Sequence, residues 1–270
     1  MIREDKIEEV IQEITEDIKS RTDIATLGMS GGADSTLVAI LCMIALGKEN
    51  VYGYGMPFNR LDEETFNDTS RKIANILEIV YAEYSIGEPV HAVQLALTGN
   101  RESTHMSDLN KGNLRSRMRM VYLYTVNTHM GELFQRRARV IGTGNLSEDF
   151  IGYDTKFGDS AADHFPIGRL FKSEVYQLLD YFISKGVITE DMVDRQPSAG
   201  LWDGQTDEDE LGYTYNEMEP SIRICEANYD IMDKIQQNEL LEFVWNRHKA
   251  NKHKHEGPAI TSLTTENFTY

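Results

Sequence analysis

The sequence predicts an α/β fold: a doubly wound parallel sheet with flanking helices and a helical C-terminal portion. Three observations carry that expectation. Apolar runs of strand length at 24–29, 51–56, 79–84 and 139–144 alternate with segments of helical length, the pattern of β-α-β units in a parallel sheet. The first run passes through Ser30-Gly31-Gly32 straight into an apolar-rich helix, so the chain turns at a strand's carboxyl end, where open α/β sheets bind ligands. After about residue 186 the apolar spacing is helical only.

In chain order, Ile2, Ile7, Val10, Ile11, Ile14 and Ile18 fall at helical spacing with acids between them, giving an outer amphipathic helix over 2–19. A helix over 34–46 ends near Gly47. Pro57 and Asn59 stop the second strand, and a helix over 62–77 follows on Phe66, Ile73, Ile76 and Leu77. A short helix is expected over 89–97 and a loop over 98–107. The next helix starts near Arg115 and runs to 130, and another, opened by Lys172, spans 173–185. Two helices are expected within 221–248. Without a clear linker, 1–270 reads as one domain, with a core at about 20–185 and a flap and C-terminal helices over 186–270.

Composition narrows the function. Hydrophobic residues make up 40% and charged residues 26% of the chain, with no run near the ~18–20 apolar residues of a membrane span. The charged N-terminal segment is not read as a signal peptide, and a cytoplasmic protein is expected. Cys42 and Cys225 lie in apolar helical patterns without metal-ligand spacing and read as buried thiols. A net charge of −17 argues against nucleic acid as partner. An anionic small substrate then needs locally concentrated cations or a metal ion.

The glycine turn at 30–35 reads Ser30-Gly31-Gly32-Ala33-Asp34-Ser35. It has neither the lysine of a Walker A loop nor a Gly-x-Gly-x-x-Gly fingerprint. Two readings stand: an anion cradle built on helix N–H groups, or a plain turn in which Asp34 and Ser35 cap the helix. Glu148, in Gly142-Thr143-Gly144-Asn145-Leu146-Ser147-Glu148, could share a metal with Asp34 or cap its own helix turn. Lys172 could meet a phosphate or face solvent. Arg115, Arg117 and Arg119 alternate, so they cannot share one helix face; they are a solvated helix end or a polyanion contact. The irregular charged segment 152–172 has the character of a functional loop. The small-residue stretch 196–206 suits a flap, and the acids at 207–210 read as the favourable first turn of a helix. His253 and His255 read as a solvated basic tail, because no cysteine or acid stands at zinc-ligand spacing beside them.

The 30–35 loop resembles the pyrophosphate loop of the ATP pyrophosphatases. With the 142–148 segment, Thr155-Lys156-Phe157-Gly158-Asp159, Ala162-Asp163, Lys172 and the 197–212 stretch, in that order, nearly the whole chain resembles the ammonia-dependent NAD+ synthetases. The resemblance implies a Rossmann-like fold of the adenine nucleotide alpha hydrolase type. It implies that Mg-ATP adenylates the carboxylate of nicotinate adenine dinucleotide and that ammonia then displaces AMP. Ser30, Gly31, Gly32, Ala33, Asp34, Ser35, Thr143, Lys172 and Ser198 would contact ATP. Asp34 and Glu148 would bind magnesium. Arg117, Lys156, Asp163, His253 and Lys254 would contact the dinucleotide. Asp159 and Lys172 would serve the chemistry. A homodimer is implied, with the dinucleotide at the subunit interface, and loops at 57–63 and about 196–211 ordering over the substrates. No glutaminase-like segment accompanies the motifs, which implies free ammonia as the nitrogen source. Three positions depart from the family pattern: no arginine precedes Pro57 by two residues, although Arg60 follows it; His164-Phe165 replaces an aliphatic or asparagine pair; and His255 replaces an arginine.

Overall fold

The computed structural model describes residues 1–59, 68–99, 106–193, 207–234 and 238–257. Four parallel strands, β1 (Ile24–Gly28), β2 (Val51–Gly55), β3 (Val80–Glu83) and β4 (Ala138–Val140), form a sheet in the order β3-β2-β1-β4. Ala25 lies opposite Val51, Ile24 opposite Ala138, and Tyr52 opposite Val80. A parallel bridge between Ile141 and His164 extends the far edge of β4.

Strand periodicity of two sends alternate side chains to opposite faces. Ala25 and Leu27 of β1 join a core with α1 (Ile7–Arg21), α2 (Ala33–Leu46), α3 (Asp68–Leu77) and α7 (Lys172–Ser184), built on Ile18, Leu37, Leu41, Ile73 and Leu178. The other face is covered by α4 (Gly87–Thr98) and α5 (Asp108–Phe134), where Tyr54, Met56, Ile86 and Val90 meet Leu114, Met118 and Leu123. Helices on both faces make the sheet doubly wound, as expected. Helix α2 ends on Gly47 at φ +84°, a conformation that favours glycine.

The C-terminal helices α9 (Tyr215–Ala227) and α10 (Glu239–Asn251) enclose the short α6 (Leu146–Ile151). Phe150 and Ile151 pack there with Met218, Ile222, Cys225, Val244 and Trp245. Gly152, at φ +63°, lets Asn251 approach: a Cβ on it would stand 2.1 Å from that of Asn251. Cys42 and Cys225 are both buried and unpaired, as expected.

Three elements differ from the sequence expectation. Helix α5 begins at Asp108, not near 115, because Ser107 Oγ accepts the Asn110 N–H at 3.2 Å and caps it. Strand β4 is only three residues long, its pairing ending where the chain diverges toward residues 142–145. The acids from 207 do start a helix, α8 (Asp207–Leu211), but Asp207 is 3% exposed and is not a solvated first-turn acid. Of the 62–77 helix, 62–67 lie outside the described residues, as do Arg60 and Ser198. No helix among the described residues is long and apolar enough to cross a membrane.

Candidate active site

A cavity of about 470 Å³ opens at the carboxyl ends of β1, β2 and β4. Its first wall is the glycine turn. Met29 N donates to Tyr54 O at 2.9 Å, holding the exit of β1 against β2. Gly53 makes room for Met29, whose sulfur would lie 2.4 Å from a Cβ there. Gly31 adopts φ +73° and turns the chain. Ser30 Oγ lies 3.2 Å from Ser35 Oγ, and Ser35 Oγ donates to Gly32 O at 3.1 Å. No side-chain hydrogen bond caps α2, and Ala33, Asp34 and Ser35 of its first turn line the cavity.

Opposite the loop, Lys172 Nζ bridges two carboxylates, Asp34 Oδ2 at 2.5 Å and Glu148 Oε1 at 2.8 Å. The Lys172 side chain is only 6% exposed. Burial lowers its pKa, but Asp34 and Glu148 outweigh burial and hold it above the ordinary lysine range. The shift of Glu148 runs the other way for a carboxylate beside a cation: its pKa is raised. Burial is the main cause, Lys172 opposes it, and Asp34 and Asp207 add to it. One ammonium cannot neutralise Asp34, Glu148 and Asp207 together. Glu148 therefore holds its proton more tightly than a free carboxylate, and a magnesium ion, which takes oxygen donors, would replace that proton. Asp34 and Glu148 fit that ion.

These side chains are held from several elements. Asn145 Oδ1 accepts the Glu148 N–H at 3.1 Å and caps α6, while its Nδ2 donates to Asp34 Oδ1 at 2.9 Å. Glu219 of α9, 5% exposed, accepts from Ser147 Oγ at 3.0 Å and Ser173 N at 3.0 Å. Ser147 Oγ in turn accepts the Lys172 N–H at 2.9 Å. Tyr215 OH donates to Asp207 Oδ2 at 3.1 Å.

At the other end of the cavity, Asp159 Oδ1 accepts from Ser116 Oγ at 2.7 Å and Thr155 N at 2.9 Å. Asp159 is accessible from the cavity, yet the protein around it desolvates its carboxylate. Burial raises its pKa, and the bonds from Ser116 and Thr155 only partly offset this. Gly158 permits this approach: a Cβ there would stand 2.3 Å from Ser116 Oγ.

The arginines of α5 divide as their spacing requires. Arg115 lies 3.7 Å over the Phe58 ring and Arg119 Nε donates to Met56 O at 3.2 Å, both toward the 56–58 segment. Arg117 points the other way, donating to Lys156 O at 3.1 Å. Lys156 Nζ donates to His253 O, and Lys254 Nζ donates to Gly152 O and Asp154 O at 2.6 and 2.7 Å. Four of the residues expected to hold the dinucleotide are thus one connected cluster, of which Lys254 lines the cavity. Asp163 stands apart. Its Oδ2 accepts the Val140 N–H at 2.8 Å, and its Oδ1 lies 3.5 Å from Tyr124 OH, so its carboxylate is engaged at the sheet edge. Thr143 and Glu148 line the cavity with the loop.

Sequence reasoning missed Ser116, Asn145, Asp207 and Glu219. A capping role for Asn145 is readable from the apolar run after it. Its second bond, to Asp34 across 111 residues, leaves no local signal, nor does that of Glu219 to Ser147 across 72.

Fold and site together define a nucleotide-activating enzyme of the pyrophosphate-loop class. A family model described as NAD synthase matches residues 5–258, and the chain belongs to that family. It is 36% identical to the NH(3)-dependent NAD(+) synthetase of Methanosarcina acetivorans over 251 residues, covering 91% of this chain and 92% of the relative. It is also 36% identical to that of Campylobacter jejuni subsp. doylei, covering 93% and 95%. Among solved structures, NMN synthetase from Francisella tularensis aligns with TM-score 0.75 and 29% identity, over 95% of this chain and 99% of that one. The NH3-dependent NAD synthetase of Campylobacter jejuni subsp. jejuni aligns with TM-score 0.69 and 26% identity, over the same shares.

Proposed function

We propose that the protein is a ligase that adenylates the nicotinate carboxylate of nicotinate adenine dinucleotide with Mg-ATP and amidates it with ammonia, giving NAD+, AMP and pyrophosphate. The observation that carries this reading is the shared cavity. It joins the glycine turn and the Asp34–Lys172–Glu148 bridge at one end with Asp159 at the other. Family membership supports it.

In the first step the substrate carboxylate attacks the α-phosphorus, the bond to the β-phosphate oxygen breaks, and pyrophosphate leaves. Ser30 through Ser35 hold the phosphates with backbone N–H and hydroxyl groups. Thr143 and Ser198 contribute further hydroxyls to ATP. Lys172 supplies the cation that offsets charge passing to the leaving group. Asp34 and Glu148 would hold magnesium, which when bound neutralises phosphate charge as a Lewis acid. In the second step ammonia attacks the acyl carbon, AMP leaves with the bonding electrons, and a proton leaves the nitrogen. Asp159, with its pKa raised by burial, accepts that proton. Arg117, Lys156, Asp163, His253 and Lys254 position the dinucleotide, and positioning does much of the work in a displacement between anions. The whole chain, 1–270, acts as one domain in a cytoplasmic homodimer, with the dinucleotide at the subunit interface.

Incubation with ATP, magnesium, ammonium and nicotinate adenine dinucleotide tests this. NAD+ and AMP are expected in equal amounts; if neither forms, the proposal fails. A second reading keeps the chemistry and shortens the substrate to nicotinate mononucleotide. The likeness to the NMN synthetase structure favours it. The ratio of kcat/KM for the two substrates decides between them.

A further inference from the structure

We propose that Asp149, Asp154 and His255 form a second divalent-cation site, for a zinc-class ion, distinct from the Asp34–Glu148 pair. One ligand atom from each of the three lies within 4.8 Å of the others. Asp149 comes from α6, Asp154 from the loop after it, and His255 from the tail beyond α10.

Asp154 is what makes this more than an acidic cluster. Its side chain is 6% exposed, and neither carboxylate oxygen has a hydrogen-bond partner. A buried carboxylate without hydrogen bonds is costly and calls for a counter-charge. Besides His255, the nearest cation is Lys254, whose Nζ stands 3.5 Å from Asp154 Oδ1. Its short bonds go to the Gly152 and Asp154 carbonyls. Protonated, His255 supplies a second positive charge, which Asp154 and Asp149 favour by raising its pKa; a divalent ion that displaces that proton takes over the same charge and gains the ring nitrogen as a ligand.

The geometry suits zinc. His255 Nε2 lies 3.4 Å from Asp154 Oδ2. Two donors each about 2.0–2.1 Å from one tetrahedral zinc are separated by about 3.3 Å. Asp149 offers a carboxylate oxygen within 4.8 Å of both other ligand atoms. One imidazole with two carboxylates is a mixed nitrogen and oxygen set, which favours zinc or a neighbouring first-row metal over magnesium or calcium. Sequence spacing hid the site, since its two acids stand about a hundred residues before the histidine.

Such an ion would tie the tail carrying His253 and Lys254 to the loop carrying Lys156 and Asp159. The inference does not depend on which carboxylate the enzyme amidates. Calorimetric titration of the full chain with zinc chloride at neutral pH, in excess magnesium, tests it. One equivalent should bind, and equally well in Glu148→Gln. His255→Ala and Asp154→Asn should each weaken binding roughly 100-fold. Cobalt(II) should give a visible d–d spectrum that His255→Ala abolishes. Because His255 sits in the tail outside the hydrophobic clusters, its variant separates metal loss from misfolding. No saturable binding, binding unchanged in His255→Ala, or binding lost in Glu148→Gln each overturns the site.

Discussion

Lys172 stands where two requirements meet. In the proposed reaction it must be buried to strengthen its pull on phosphate, and it must be paired to tolerate burial. Lys172→Met leaves Asp34 and Glu148 facing each other without a cation. Turnover should fall roughly 10³-fold or more. Magnesium-free stability should fall by about 3 kcal/mol. AMP release and a urea melt measure the two effects, and near-normal turnover would remove Lys172 from the reaction. Ser116 offers a milder probe. Its hydroxyl bond lowers the pKa of Asp159 against the raising effect of burial. Ser116→Ala therefore raises that pKa further. Since the proposed reaction needs the carboxylate, the acid limb of kcat/KM for ammonia should move to higher pH, with the alkaline limb unmoved. An unmoved acid limb would mean that Asp159 takes no proton. Ser116 could not be singled out in the sequence: it sits between Arg115 and Arg117, the residues that drew attention, and its partner is 43 positions away.

At the scale of elements, the edge strand β4 is short and is anchored by side chains. Asp23 accepts from Arg137 through its backbone N–H at 3.0 Å and from Nη2 at 2.8 Å, joining the start of β1 to the entry of β4. Arg137 holds the Asp23 pKa down at about 2. A depressed carboxylate contributes its stability fully above the unfolded value of about 3.9 and loses it as pH falls through the folded value. The difference in urea midpoint between wild type and Asp23→Asn should therefore be constant above about pH 5 and shrink toward zero near pH 2. The exit of β4 is fixed by packing. A Cβ on Gly142 would stand 2.3 Å from Phe165 Cε1. Gly142→Ala should destabilise by about 1–3 kcal/mol, and Phe165→Ala in the same chain should recover part of that loss. Additive losses in the double variant would rule out the contact as the cause. Thus the departure at His164-Phe165 has a structural counterpart. Phe165 fills the space over Gly142, and His164 Nε2 pairs with Asp17 Oδ2 of α1 at 2.9 Å. Period and turn chemistry made the strands and most helices legible. The start of α5 was not, because the Ser107 cap competes with an unremarkable polar stretch. Nor was the burial of Asp207, whose carboxylate is bonded by Tyr215 OH from the next helix.

Across the whole molecule, the sequence carried the sheet, the loop and the order of the motifs. What it could not carry is which residues share a cavity wall, since that follows from how α6, α9 and α10 stack beside the sheet. The same scale holds the last test, the assembly. Large apolar side chains stay exposed along the α4–α5 layer, with Leu95 at 53%, Val121 at 49%, Leu133 at 61% and Phe134 at 44%. On a chain of net charge −17, a second copy must bring enough apolar contact to offset mutual repulsion. A homodimer using this layer would cover those residues and set α5, which carries Arg117, against the partner. If the chain pairs through this layer, Val121→Glu with Leu133→Glu should convert a dimer to monomer in sedimentation. It should also raise KM for the dinucleotide more than KM for ATP, whose proposed contacts are the glycine turn and Lys172. A dimer that survives both charges would place the interface elsewhere on the molecule. Monomers with an unchanged KM for the dinucleotide would show that each subunit holds that substrate unaided.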